Sequence, residues 1–341
     1  MGMNHCPKNM RFGPCGGVRL DGGCEVPPIV CPFLDRSIVP LPPPLMSSVQ
    51  ADLPFPAIVV DVRSPDGWGG DSIGLWHRIG EELNGCVALV GEHVDNAPLH
   101  DDSGTLAPQQ VIAILASKGV PVVATITGRD RSLTAAQALM RSYMSAGAAM
   151  IHCVTGDHPA ALGIDRATRF GTESMELVAV AASAGICASV GESPTSAGNR
   201  ILRLHDKARA GASLCILNHG GDAADLIAYS DDCRAAGLDI PLVAAVPMIA
   251  DKRAALGLAT FPGVKLPHGY LDGIIEARDP NQQGLDSAAG MVFALAASGA
   301  FMGVNLSGSA SGADPWKRLE STANFIRVTK QAWDLGTAAR G

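Results

Sequence analysis

The chain has 341 residues, 47% of them apolar and only 17% charged: enough apolar side chains for one large core, and too few charges for a disordered chain. Its formal net charge is −7, its Lys and Arg are scattered, and aromatics make up 4%, all of which argues against a nucleic-acid binder. No apolar run reaches membrane-spanning length and the N-terminus lacks the charged-then-apolar order of a secretion signal, so a cytoplasmic protein with no membrane partner is expected.

Residues 1–35 carry four of the nine cysteines, Cys6, Cys15, Cys24 and Cys31, among glycines and prolines ("NHCPKNMRFGPCGGVRLDGGCEVPPIVCPF"). Their spacing, with eight, eight and six intervening residues, is not the paired C-x-x-C of zinc ribbons. Glycines beside Cys15 and Cys24 allow tight turns, so the thiolates could converge on Zn²⁺ or an iron–sulfur cluster. A closed four-cysteine shell leaves no open position for chemistry, and on that reading the segment is a small metal-binding module stapled to an enzyme. The alternative is four free thiols. Cys86, Cys153, Cys187, Cys215 and Cys233 sit singly among Ala, Val and Ile and read as small core residues. Residues 36–56 ("RSIVPLPPPLMSSVQADLPFP") read as an extended proline-rich linker.

From residue 57 short β-branched or apolar runs alternate with helical segments. The expected strands are 57–62, 86–92, 121–127, 150–155, 185–190, 213–218, 241–246 and 301–306. Between them, segments such as 134–146, 174–183, 200–210 and 222–236 show apolar residues at three- and four-residue spacing and mostly end near Gly. Eight strands that read as buried on both faces predict a closed (β/α)₈ TIM barrel over 57–341. The runner-up, a doubly wound open sheet, lacks a G-x-G-x-x-G after its first strand.

A barrel places its chemistry at the C-terminal strand ends. These supply Asp61, Arg63 and Asp66 after strand one and Glu92, His93, Asp95 and Asn96 after strand two. Strand three is followed by Thr127, Arg129, Asp130 and Arg131, and strand four by Gly156, Asp157 and His158. Asp130 could equally cap the helix that follows it, and Asp157 could close an Asx-turn. Asp61 is separated from the next helix by Pro65 and a glycine-rich loop, which makes capping a poor account of it. His93 and His219 have no paired-ligand spacing and read as polar loop residues.

Several of these segments together resemble the methylenetetrahydrofolate reductase family: "VDNAPLHDDSGTLAP", then "TGRDRS", then "VTGDHP", then "KARAGASLCILNHGGDAADLIAYSDDCRAAGLDIPLVAAVPMI". The N-terminal "CPKNMRFGPCGG…GGCEV…C" is similar to a cysteine-rich module fused to, or partnered with, some bacterial members. The resemblance implies a barrel holding FAD, with NAD(P)H and a folate taking turns at the flavin and hydride ending on the folate methylene carbon to give 5-methyltetrahydrofolate. Asp61 matches the family's Glu at the end of strand one, the acid that helps open the methylene bridge, and is one methylene shorter. Asp157 matches a pterin-contacting Asp, and Asn218 stands where the family has a folate-contacting Gln. Thr127, Arg129, Asp130, Gly156 and Lys207 fall on cofactor-binding segments.

The pattern also departs from the family. Thr125 replaces a histidine, Arg200 and Arg203 replace an Asp and an Asn that contact flavin, and "NLSGSASG" lacks the arginine that holds the folate tail. Two arginines could grip a cofactor phosphate or could be solvent-facing helix residues. Three readings stay open: a flavin-dependent reductase, a flavin-independent folate reductase of the same fold, and a non-catalytic binding or scaffold subunit. Barrels of this kind often associate through outer helices, so a homo-oligomer is an open expectation.

Overall fold

The computed structural model describes residues 6–34, 53, 57–62, 72–92, 106–165, 167–195, 200–308 and 315–340. Of the positions singled out above, Arg63, Asp66, His93, Asp95 and Asn96, and the 36–56 linker apart from Leu53, lie outside the described residues.

Eight parallel strands close into a barrel in sequence order: β1 (Ala57–Val62), β2 (Val87–Val90), β3 (Val122–Thr127), β4 (Met150–Val154), β5 (Ala188–Glu192), β6 (Leu214–Leu217), β7 (Leu242–Pro247) and β8 (Gly303–Ser307). Closure is made by β8 pairing with both β7 and β1, Val59 facing Asn305. The expected (β/α)₈ architecture is therefore present. Helices follow the strands: α1 (Ser72–Glu82), α2 (Pro108–Ser117), α3 (Leu133–Ser145), α4 (Ser174–Ser183), α5 (Arg200–Arg209) and α6 (Ala223–Ala235). Three helices, α7 (Lys252–Ala259), α8 (Tyr270–Glu276) and α9 (Pro280–Ser298), lie between β7 and β8, and α10 (Pro315–Ala338) follows β8. No helix among the described residues is long and apolar enough to cross a membrane.

Strand side chains alternate between two apolar environments, as period-two geometry requires. Ile58, Val60, Val62, Ala88, Val122 and Ile151 point outward into the helical layer. Val59, Val87, Val123, Met150, Leu214 and Val243 point inward and fill the lower barrel, where Leu53 joins them. The helices present their own stripes to the outer face. Trp76 of α1 and Phe325 of α10 are essentially inaccessible, and burying each such ring stabilises by about 1.5–3 kcal/mol. The five isolated cysteines are all buried, as their apolar neighbours implied.

Local signals fix most helix ends. Ser132, Asp222, Asp251 and Asp279 cap α3, α6, α7 and α9, each accepting from a backbone N–H three residues on. The cap of α3 is thus Ser132 and not Asp130. Asp130 adopts a left-handed φ of 56°, and its carboxylate instead takes bonds from Thr168 Oγ1 and the Arg169 N–H, tying the β3 loop to the segment after β4. Strand β5 begins later than its apolar run. Gly185 (φ 69°) ends α4 and Ile186 N–H still bonds to Ala181, so the strand starts at Ala188 and extends through Glu192.

Helix α9 crosses the β7 loop so closely that a Cβ on Gly284 would lie 2.0 Å from the Ile249 carbonyl oxygen. Gly284→Ala should therefore destabilise the barrel by about 1–3 kcal/mol through overpacking. Chemical denaturation checks this; an unchanged midpoint would show that the contact relaxes freely.

Candidate active site

The alternation that fills the lower barrel with Val and Leu changes character in the upper layers. There the inward positions carry Asp61, Thr125, Thr127, His152, Asn218 and Asn305, and they line a cavity of about 670 Å³ at the C-terminal mouth. That volume suits a ligand of drug or coenzyme-fragment size. Asp61, Asp157 and Asn218, the three expected folate-contacting residues, all line it. Asp157 and Asn218 are exposed at its rim, whereas Asp61 lies deep in the strand layer.

Burial pushes the Asp61 carboxyl up to about 6, with Ser307 and Asn305 pulling the other way. Its Oδ1 is buried without a hydrogen-bond partner, and so is Oδ1 of Asn305. His219 also lines the cavity, 6% exposed, with neither ring nitrogen bonded. Burial holds its ring pKa down near 4, so it is neutral at ordinary pH. It is a loop residue, as expected, but a buried one that lines the cavity. His152 is likewise held at about 4, first by burial and then by Lys207, and its Nδ1 lies 3.0 Å from Ser189 Oγ. Unpartnered buried polar atoms are costly, and their convergence on one cavity marks it as a place where a polar ligand completes the bonding.

Beside this floor lies a buried ionic cluster that sequence reading missed. Glu192, at the end of β5 and only 2% exposed, receives Arg203 Nε at 2.9 and 3.0 Å, the same guanidinium's Nη2, and Lys207 Nζ at 2.9 Å. Burial alone would raise its pKa, but Arg203 and Lys207 prevail and hold it at about 2. Lys207 also donates to the Gly191 carbonyl, and Arg203 Nη1 to the Pro14 carbonyl.

The sequence leaves Arg200 and Arg203 open between a phosphate clasp and a solvent-facing helix face, and the structure gives both of them protein partners. Arg203 is 3% exposed and committed to Glu192, as is Lys207, while Arg200 points away toward Asp232 (3.6 Å) and stacks over Tyr229. Arg203 and Lys207 line the cavity, whereas Arg129 and Asp130 do not: Arg129 is buried and donates to the Asp157 carbonyl, clasping the β3 and β4 loops. Thr127 does line it, but its N–H and Oγ1 are directed to Glu92, which also receives Arg131. Gly156 (φ 90°) is required by the close approach of Thr127, 2.9 Å from a Cβ built there. Taken together, these residues do not fit a cradle for the phosphates of FAD.

The N-terminal segment lies across the same mouth. Met10, Phe12, Pro14 and Cys15 line the cavity, as Asp61 does. Arg11 and Phe12 reach Glu173 and Glu176 at the start of α4, and Lys8 pairs with Glu25. Cys6, Cys15, Cys24 and Cys31 form no disulfide. Cys6 lies within Coulombic reach of the other three, yet among the described residues no three His, Cys, Asp or Glu side chains are placed to hold a metal ion. This arrangement of thiols does not itself make the expected zinc or iron–sulfur site.

Residues 99–310, more than half the chain, match the family model for methylenetetrahydrofolate reductase. The chain belongs to the methylenetetrahydrofolate reductase family. Among solved structures, an uncharacterised protein from Clostridium thermocellum that binds two copies of 5-methyl-5,6,7,8-tetrahydrofolic acid has a similar fold, with TM-score 0.57 and 11% identity, covering 82% of this chain and 95% of that one. No curated protein sequence matches significantly. The matched region spans β3 to β8 and so includes the Glu192 cluster, Asp157, Asn218 and His219, whereas β1 with Asp61 and the N-terminal segment lie before it.

Glu192→Ala leaves two buried cations unpaired and should cost about 3–5 kcal/mol of stability. Because the carboxyl is held below its ordinary 4.5, its contribution is complete above that value and fades as pH falls toward about 2. Urea titrations from about pH 7 to about pH 3 should therefore show the gap between wild type and variant shrinking. A gap that stays constant would place the effect in packing and not in charge.

Proposed function

We propose that the protein is a folate oxidoreductase that interconverts 5,10-methylenetetrahydrofolate and 5-methyltetrahydrofolate, with Asp61 as its acid. The carrying observation is Asp61 itself: a carboxyl at the end of β1, facing the cavity, raised by burial to about 6 and with an unpartnered oxygen. Opening the methylene bridge needs a proton on the departing ring nitrogen, and an acid with a pKa near the working pH is the most effective donor. Hydride addition to the resulting iminium carbon then gives the methyl group. Asp157 and Asn218 at the rim are suited to the pterin edge, since an amide both donates and accepts there. The family relation and the folate bound by the Clostridium thermocellum protein support the same ligand class.

Hydride is expected from NAD(P)H, and the reading without bound flavin is favoured. The basic groups that would meet FAD phosphates are occupied by Glu192. The visible spectrum of the purified protein separates the two readings: a flavin spectrum sinks the flavin-free one. NAD(P)H oxidation dependent on methylenetetrahydrofolate, by protein showing no flavin absorption, supports it. Absence of any turnover points to a binding or scaffold subunit.

Asp61→Asn should lower kcat by about 10²–10⁴-fold while leaving the Kd for 5-methyltetrahydrofolate within about threefold of wild type. Since the protonated carboxyl is the active form, kcat for methylene reduction should fall as pH rises through about 6. Full activity in the variant would remove Asp61 from the role.

A further inference from the structure

We propose that residues 8–17 form the upper wall of the ligand site, so that a flat ring of the folate class is held between this segment and the inward face of the barrel. The assignment rests on the folate reading above.

Two complementary walls carry it. The barrel side offers polar groups with unmet bonding: Asp61 Oδ1, Asn305 Oδ1 and both nitrogens of His219. The N-terminal side offers apolar Met10 and Phe12 and the compact "GPCGG" backbone. A planar heterocycle has that same division, with apolar faces and a polar edge. Asn218 connects the walls, because its Nδ2 lies 3.6 Å from the position of a Cβ on Gly16, directly under the segment.

The segment is seated by contacts that a loose tail would not need. Lys8 and Glu25 form a 2.6 Å ion pair with side chains 5% and 1% exposed, Glu25 also accepts from His158 N–H at 2.9 Å, and Lys8 lies 5.5 Å above the Phe170 ring. Arg203 holds the Pro14 carbonyl at 3.4 Å, and Glu173 accepts from the Phe12 N–H at 3.3 Å. Burying such an ion pair contributes little net stability, and its better-attested use is to fix register. The seat also needs missing side chains. A Cβ on Gly17 would fall 2.1 Å from Glu25 Oε2, and one on Gly263 of the barrel would fall 2.8 Å from the Gly16 carbonyl. Both sides are shaped to bring "GPCGG" down onto the mouth.

Calorimetric titration of the full chain with 5-methyltetrahydrofolate tests the assignment. In Gly17→Val the Kd should rise at least tenfold, with the barrel's far-ultraviolet spectrum and melting temperature unchanged. In wild type, the folate should protect Cys15, which lines the cavity, from maleimide labelling read by peptide mass spectrometry, while Cys24, which does not line it, labels at the same rate. An unchanged Kd in Gly17→Val together with unprotected Cys15 would overturn the assignment and leave the folate reading standing. Wild type that binds no folate would overturn both, and only that outcome involves the unmutated protein failing to bind.

Discussion

The mouth of this barrel is organised around one buried carboxylate. Glu192 sits at the end of a strand with almost no access to water, where an ionised carboxyl is tolerated only if cations surround it. Arg203 and Lys207, one turn apart on α5, meet that requirement and thereby lock the helix to the strand it follows. The remaining guanidinium donor reaches Pro14, so the same charge balance that fixes α5 also fixes the N-terminal segment over the barrel. The arginine at position 203 therefore has a structural partner of its own in the neighbouring carboxylate.

The site exists because an ordinary structural rule is broken in its upper layers. Lower inward positions are Val, Met and Leu, which pack solidly. Above them the same alternation delivers Asp61, His152 and Asn305 into a space that side chains do not fill. Asp61 and Asn305 stand on the paired strands β1 and β8, yet Oδ1 of each is buried without a partner, while His152 is held by Ser189. Burial shifts Asp61 and the rings of His152 and His219 toward their neutral forms, so the two imidazoles are uncharged near neutrality while Asp61, at about 6, titrates just below it.

Most of the architecture was legible because parallel barrel strands announce themselves as compact β-branched runs, and Asp61 was found by asking which strand ends carried a carboxylate with no cap to make. The failures have physical causes. Strand β5 was placed at 185–190 because Ile186 and Cys187 extend its apolar run backward, while a glycine-terminated helix controls the real start. Glu192 escaped notice for the same reason, since a charged residue reads as the end of a strand. Arg203 and Lys207 resembled ligand-binding groups because sequence shows charge but not the partner that neutralises it. The N-terminal cysteines were read through their own spacing, whereas the determinants of where they sit, Glu173, His158 and Gly263, lie far along the chain.

That separation has a temporal consequence. The segment over the mouth is synthesised well before its anchors, which follow about 130–250 residues later, and long-range closures of this kind form slowly. Until α5 and the loop at Gly263 have emerged, "GPCGG" and its thiols have no surface to rest on. The nascent chain must therefore carry Cys6, Cys15, Cys24 and Cys31 without that seat until those later elements are made, and the barrel mouth receives the segment only after β7 and the Gly263 loop exist.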